Sequence, residues 1–252
     1  MKEGLAHYPH LVNVKTIPGL DHIAFSAGIL HIGATATHRR IEQDPLVRLH
    51  VPVLAAVAAR VGNARVRAVG TLGGNLCFAE PHSDLGPLLV ALEARLVLVG
   101  AEGERVVPAE RFFTGILQTA RQPHEVLTRV ELAPLRTGWG AAYHKIAFHE
   151  RPTAGVAACV CLRDGVVADA RIAVGSVGPL PARVEAAEAA LRGRPPEEPV
   201  LRDAAALAAD HADVLDDFHG GADYKRHLVA VLTVRALRDA AADASRAERR
   251  TA

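Results

Sequence analysis

Two adjacent glycines stand inside the segment Gly70-Thr71-Leu72-Gly73-Gly74-Asn75, and Asp84 lies nine residues after Asn75. A glycine pair lacks the Cβ atoms that would hold a backbone away from a phosphorylated ligand, so the chain can approach phosphate oxygens closely. Thr71 and Asn75 bracket the pair with a hydroxyl and a carboxamide, which donate hydrogen bonds to phosphate without adding charge. Asp84 offers an acceptor suited to ribose or ribityl hydroxyls. These types and spacings point to a cofactor loop. On spacing alone a Gly-Gly pair is more often a tight turn, and Asp84 also reads as a complement to a helix dipole.

Lys145 sits centrally in an apolar, strand-like run, where an unpaired ammonium is costly to bury and a ligand or carboxylate partner is expected; a sheet-surface lysine is the competing reading. His82 lies beside the glycine segment and reads as an exposed loop histidine. The 13 histidines are scattered, and His144 with His149 and Glu150 does not reproduce the His-Glu-x-x-His helical pairing of zinc enzymes. The three cysteines, Cys77, Cys159 and Cys161, are too few for a disulfide framework and lack the spacing of an iron–sulfur site. Cys159 and Cys161, two apart, share one face of a strand and read as small buried side chains. With no Ser-His-Asp, Cys-His or paired-acid arrangement in view, no catalytic residue is assigned.

At 252 residues and 50% hydrophobic content, the chain has enough apolar surface for one large domain or two smaller ones. Its 29 basic and 28 acidic residues leave a net charge of +1, which provides no field for nucleic acid or an anionic membrane. No stretch reaches the roughly 18 apolar residues of a membrane span, and the N-terminus has no basic-then-apolar leader pattern, so a cytoplasmic location is expected.

The elements that would position these residues emerge from periodicity. Ile23–Ser26 and Ile29–Ile32 read as a hairpin turned at Ala27-Gly28. Leu46, Leu49, Val53, Leu54 and Val57 recur at helical spacing and predict one helix from Pro45 to Val61, stopped at Gly62. Ser83 is placed to cap a helix over 84–93. A second hairpin covers 94–107, and Val126–Leu132 alternates like a strand. Beyond Arg136-Thr137-Gly138, three antiparallel strands are expected at 141–148, 155–162 and 170–177, with helices at 182–191, 200–211 and 223–244 and a frayed charged end from Ser245. Strands followed by helices give an α+β class, divided as 1–137 and 138–252.

The run Val66 to Leu76, continuing through Glu80-Pro81-His82-Ser83-Asp84-Leu85, resembles the FAD-binding subunits of the molybdenum hydroxylase family, which includes xanthine dehydrogenase, carbon monoxide dehydrogenase and 4-hydroxybenzoyl-CoA reductase. Ile17-Pro18-Gly19-Leu20, Ile32-Gly33-Ala34-Thr35, Glu125-Val126-Leu127, Tyr143-His144-Lys145 and Tyr224-Lys225-Arg226-His227-Leu228 extend the likeness over nearly the whole chain. The resemblance implies an FAD-binding domain over 1–137 and a CO-dehydrogenase-flavoprotein-like domain over 138–252. FAD would be held by Thr71, Leu72, Gly73, Gly74, Asn75, Asp84, the backbone of Leu127, and Lys145 at the polar edge of the flavin. It further implies an electron-transfer subunit that works beside a molybdenum-cofactor subunit and a two-iron-two-sulfur subunit, with substrate chemistry on the former. One departure stands out: an Ala-Gly-Gly loop that precedes these segments in the family is absent, and Met1-Lys2-Glu3-Gly4-Leu5 resembles the segment next to that loop on its C-terminal side. Losing two or three charge-assisted hydrogen bonds of about 1.5–3 kcal/mol each would weaken FAD binding by several orders of magnitude. The alternatives are a structural subunit that no longer binds FAD and an independent flavin oxidoreductase.

Overall fold

A computed structural model describes residues 8–148 and 150–249. The first hairpin forms as expected: β1 (Ile23–Ser26) and β2 (Ile29–Gly33) pair antiparallel around Ala27 and Gly28, both at positive φ. Alternation then sends Leu30 and Ile32 into the core. Four short helices come next, α1 (His38–Gln43), α2 (Pro45–His50), α3 (Pro52–Ala58) and α4 (Ala64–Val69). The single helix expected from Pro45 to Val61 is therefore two. Pro52 lacks the N–H that would continue α2 and its ring crowds the preceding turn, so it serves as the first residue of α3 instead. Thr37, Asp44 and Asn63 cap α1, α2 and α4 with side-chain oxygens.

The glycine segment is helical as well, forming α5 (Leu72–Phe78), and α6 (Leu85–Ala91) is the next helix. Asp84 occupies the N-cap of α6 without capping it, and Ser83 does not cap it either, because its hydroxyl donates to Asn75 Oδ1 at 2.8 Å. Then come β3 (Arg95–Gly100), β4 (Gly103–Pro108), α7 (Ala109–Phe112), the short hairpin of β5 (Phe113–Gly115) and β6 (Gln118–Thr119), and β7 (Val126–Leu132). The first sheet has five antiparallel strands in the order β1-β2-β7-β3-β4. A bulge sets Thr128 out of register with β3; its carbonyl accepts the Ala34 N–H and its hydroxyl donates to the Val97 carbonyl.

The second sheet has the order β11-β10-β9-β8, with β8 (Trp139–Ile146), β9 (Ala154–Arg163), β10 (Val166–Gly175) and β11 (Ala182–Arg183). Three strands were expected. The fourth arises because Ala182 and Arg183 pair with Val174 and Ala173, which delays α8 to Glu185–Leu191. The last helices are α9 (Glu198–His211) and α10 (Ala222–Arg249). Rather than fraying from Ser245, α10 runs on to Arg249, with Ala244 buried and the Ser245 hydroxyl donating to the Ala241 carbonyl. It lies so close to β8 that a Cβ on Gly140 would collide with the Ala240 carbonyl and the Ala244 N–H.

Strand β9 explains how the layers join. Ala157 and Cys159 face the core shared with the first sheet, while Val156, Ala158, Val160 and Leu162 face the core under α9 and α10. Because both its faces are covered, β9 reads as a continuous apolar run rather than an alternating one. Helix α6, buried at all seven positions, packs against β9 and β10 from the side of the first sheet. Among the described residues no helix is long and apolar enough to cross a membrane.

Candidate functional site

Thr71 is the N-cap of α5, and its Oγ1 accepts the Gly74 N–H at 3.1 Å. The Leu72 N–H goes to the Ala36 carbonyl at 3.0 Å, the Gly73 N–H to the Ala34 carbonyl at 2.7 Å, and the Asn75 N–H to the Thr71 carbonyl at 3.0 Å. The opening turn therefore spends its amides on the protein itself. Gly73 and Gly74 differ in what they allow. A Cβ on Gly73 would lie 2.6 Å from the Ala34 Cβ, so this glycine lets α5 cross the end of β2. Gly74 is exposed, and a Cβ there would meet only Thr71 Oγ1, at 2.8 Å. Leu72 turns into the core and is fully buried. Asn75 accepts from Ser83 through Oδ1, which orients its amide nitrogen as a donor.

Thr71, Gly73 and Gly74 form one wall of a cleft of about 290 Å³. Leu127 and Val126 of β7, Ala34 and Thr35 after β2, and Val14, Leu20, Cys77, Arg121 and Glu125 complete it. The floor is mostly aliphatic and the polar groups are few, the composition of a ligand cleft near the lower end of the usual ~300–1,000 Å³. Thr35 supplies an independent sign of a missing partner: its Oγ1 is buried and makes no hydrogen bond to any described residue. These residues fit a flavin nucleotide, with aliphatic side chains for a ring, Thr35 and Arg121 for polar oxygens, and Gly74 leaving room for close approach. The segment Met1-Lys2-Glu3-Gly4-Leu5 lies outside the described residues, as does His149; Val14 does line the cleft, and Lys15 Nζ donates to the Val69 carbonyl at 2.5 Å.

Asp84 and Lys145 are brought to each other. Lys145 Nζ lies 2.7 Å from Asp84 Oδ2 and 3.1 Å from the Arg60 carbonyl, and the Tyr143 hydroxyl donates to Asp84 Oδ1 at 2.9 Å. The carboxylate partner expected for a lysine in an apolar strand is thus Asp84, itself 5% exposed. Burial, then the adjacent Asp84 carboxylate, pushes the Tyr143 phenol well above its ordinary range, so it stays a hydrogen-bond donor. Asp84, Lys145 and Asn75 are not among the residues lining the Gly74–Leu127 cleft.

Sequence reasoning passes over three residues here. Tyr143 enters it only as part of a motif, and its hydroxyl completes the Asp84 cluster. His38 is 2% exposed beneath the Gly70 turn, donates its backbone N–H to the Gly70 carbonyl at 3.1 Å, and has its pKa lowered to about 4 by burial and then by Arg67. Arg121 lines the cleft from the β6–β7 connection, with Nη1 donating to the carbonyls of Gln122 and Glu125, both at 2.9 Å. An Arg-rich sequence gives no spacing signal that separates Arg121 from its neighbours. His82 is not a free loop histidine: its Nδ1 lies 2.9 Å from the Pro152 carbonyl and its Nε2 3.3 Å from Asp217.

Residues 1–134 match the family described as the FAD binding domain in molybdopterin dehydrogenase, and residues 141–240 match the CO dehydrogenase flavoprotein C-terminal domain. The carbon monoxide dehydrogenase medium chain of Hydrogenophaga pseudoflava is 32% identical over 239 residues, covering 94% of this chain and 83% of that one. A solved structure of carbon monoxide dehydrogenase from the same organism superposes with a TM-score of 0.93 at 34% identity, covering 96% of this chain and 85% of that one. Quinoline 2-oxidoreductase from Pseudomonas putida 86 gives 0.86 at 32% identity, over 93% and 81% of the two chains. With more than half of its length matched by the first family and this likeness to a medium chain over nearly all of it, the chain belongs to the FAD-binding medium subunits of the molybdopterin dehydrogenases.

Proposed function

We propose that this chain is the FAD-binding, electron-transfer subunit of a molybdenum hydroxylase complex, exchanging electrons between iron–sulfur clusters and an external acceptor. Its partners are a molybdenum-cofactor subunit, which performs the substrate chemistry, and a two-iron-two-sulfur subunit. The bound flavin supplies the redox chemistry; the protein binds it, orients it and excludes water. The observation that carries this reading is the convergence of Thr71, Gly74 and Leu127, 53 residues apart from Gly74 to Leu127, on one cleft beside a Thr35 hydroxyl that has no partner among the described residues. Within it, Thr71, Gly73 and Gly74 shape the wall against which the dinucleotide lies, the Asn75 amide donates to it, and the Leu127 backbone borders the ring. Leu72 anchors α5 in the core, and beside the cleft Asp84 would accept from ribose or ribityl hydroxyls while Lys145 would reach the polar edge of the flavin. We further propose that 1–137 and 138–252 are separate domains and that the protein works in the cytoplasm.

The test is flavin content and partner dependence. Coexpressed with molybdenum and iron–sulfur subunits of this family, the chain should copurify with them and with about one FAD per chain, read from flavin absorption after acid release. Electrons should reach an external acceptor only in the assembled complex. A complex that assembles without flavin would leave the chain a structural subunit, and full substrate turnover by the isolated chain would make it an independent oxidoreductase.

A further inference from the structure

A second cleft, of about 330 Å³, shares no lining residue with the first. It opens where three stretches of chain meet: Leu92 and Glu93 beyond the end of α6, Pro134 to Arg136 in the β7–β8 connection, and Trp139 of β8 with Arg171 of β10. We propose that this cleft binds a small organic carboxylate, an anionic head on an apolar body; the assignment is independent of the FAD reading.

Head and body each have a place. Arg171 stacks its guanidinium on the Trp139 ring, with Cζ 4.4 Å from the centroid, and turns Nη2 to Glu93 Oε2 at 2.9 Å. Stacking fixes the plane of the fork and leaves its other nitrogens for an oxyanion. Arg136 is exposed, and its side chain makes no hydrogen bond or ion pair with a described residue. Among the described residues Glu93 is the only acid lining the cleft, and its other oxygen is turned to Arg183 Nη1 at 3.3 Å. The lining therefore sets two cations against one shared anion, which suits a monoanion; a phosphate dianion meets twice the repulsion from Glu93.

Leu92, Pro134 and Leu135 supply apolar surface for the body. That surface is preformed. Leu135 and Trp139 pack on the first core, the Leu135 N–H donates to the His50 carbonyl at 3.0 Å, and the Trp139 N–H donates to the Arg136 carbonyl at 2.9 Å. The volume falls at the lower end of small-molecule sites, roughly 300–1,000 Å³. An occupant touches the end of α6, the β7–β8 connection and two strands of the second sheet, so it should also stabilise the fold.

Trp139 is the single tryptophan of the chain, so its emission reports on this cleft without a label. The full chain is titrated with cyclohexanecarboxylate, acetate, cyclohexylmethanol and inorganic phosphate, with thermal melts alongside. Cyclohexanecarboxylate should shift the emission saturably, with a Kd of about 1 mM or below, and raise the melting temperature. Acetate lacks the body, cyclohexylmethanol lacks the charge, and phosphate carries too much of it; each should bind at least about tenfold more weakly. Arg136→Gln should weaken the carboxylate about tenfold to a hundredfold, the range of a charge-assisted hydrogen bond. If that variant does not fold, Arg171→Lys, which keeps the charge and gives up the planar fork, should weaken it in the same direction. Excess FAD should leave the carboxylate affinity unchanged, read by calorimetry because flavin quenches tryptophan. The assignment is overturned by the absence of saturable binding up to about 10 mM, by unchanged affinity in the folded variant, or by competition with FAD, which places the acid in the flavin cleft. Phosphate bound as tightly as the carboxylate also overturns it, by making the cleft a general anion site.

Discussion

Asp84→Asn should destabilise the flavin-free protein by about 3–5 kcal/mol, because it strands a lysine whose charge was answered inside the fold. Exposure sets the magnitude. The side chains of Asp84 and Lys145 are 4% and 10% exposed at a separation of 2.7 Å, which places the pair among buried ion pairs. Removing one partner of such a pair costs about 3–5 kcal/mol, against about 0–1 kcal/mol for an exposed one. Asparagine still offers an oxygen to the Tyr143 hydroxyl, and Lys145 keeps the Arg60 carbonyl, so the loss isolates the missing charge. For a chain of this size the melting temperature should fall by roughly 6–20 °C. Urea unfolding of Asp84→Asn, Lys145→Met and the double variant gives the coupling directly. The double variant, with no charge left to strand, should recover at least half of the loss. A single Asp84→Asn variant within about 0.5 kcal/mol of the parent, or strictly additive effects, would refute the buried-pair argument.

Gly73→Ala should cost about 1–3 kcal/mol of stability by forcing α5 off the end of β2, whereas Gly74→Ala should cost less, since only the Thr71 hydroxyl must move; denaturation midpoints compare the two. His38, lowered from 6.5 to about 4 by burial, binds its proton more weakly folded than unfolded, so its contribution is complete above pH 6.5 and is lost as pH falls from there through about 4. His38→Gln should therefore show a smaller drop in urea midpoint between pH 7.5 and pH 4.5 than the parent, and identical pH profiles would place the histidine in contact with solvent.

Local signals in the sequence are enough for much of this architecture. The hairpin at Ala27-Gly28, the strands at 126–132 and 155–162 and the last two helices all arise from periods of 2 and 3.6 and from turn chemistry that acts within a few residues. Errors occur where neighbours compete or where partners lie far along the chain. Pro52 ends one helix by starting another, which an apolar spacing of three and four does not register. Ala182 and Arg183 favour a helix by composition and form a strand because β10 offers them an open edge. In the site, Lys145 visibly needs a partner, but its identity depends on folding together residues 61 positions apart. Arg121 could not be singled out at all, because what distinguishes it is the cleft it faces and not its neighbours in sequence.

The strand order of the first sheet bears on how the protein is made. β2 ends at Gly33, yet its neighbour β7 begins only at Val126, and β7 also completes the inner edge of β3. On a ribosome adding about 5–20 residues per second, the β1–β2 hairpin waits roughly 5–20 s with the β2 edge, later covered by β7, unpaired. Unpaired edges template association with other chains. Helices α1 to α6 emerge during that interval, and packing them early over Leu30 and Ile32 shields the hairpin's face but leaves its edge bare. Yield during synthesis then depends on what protects that edge in those seconds, such as a chaperone or sparse nascent chains, more than on the stability of the finished sheet.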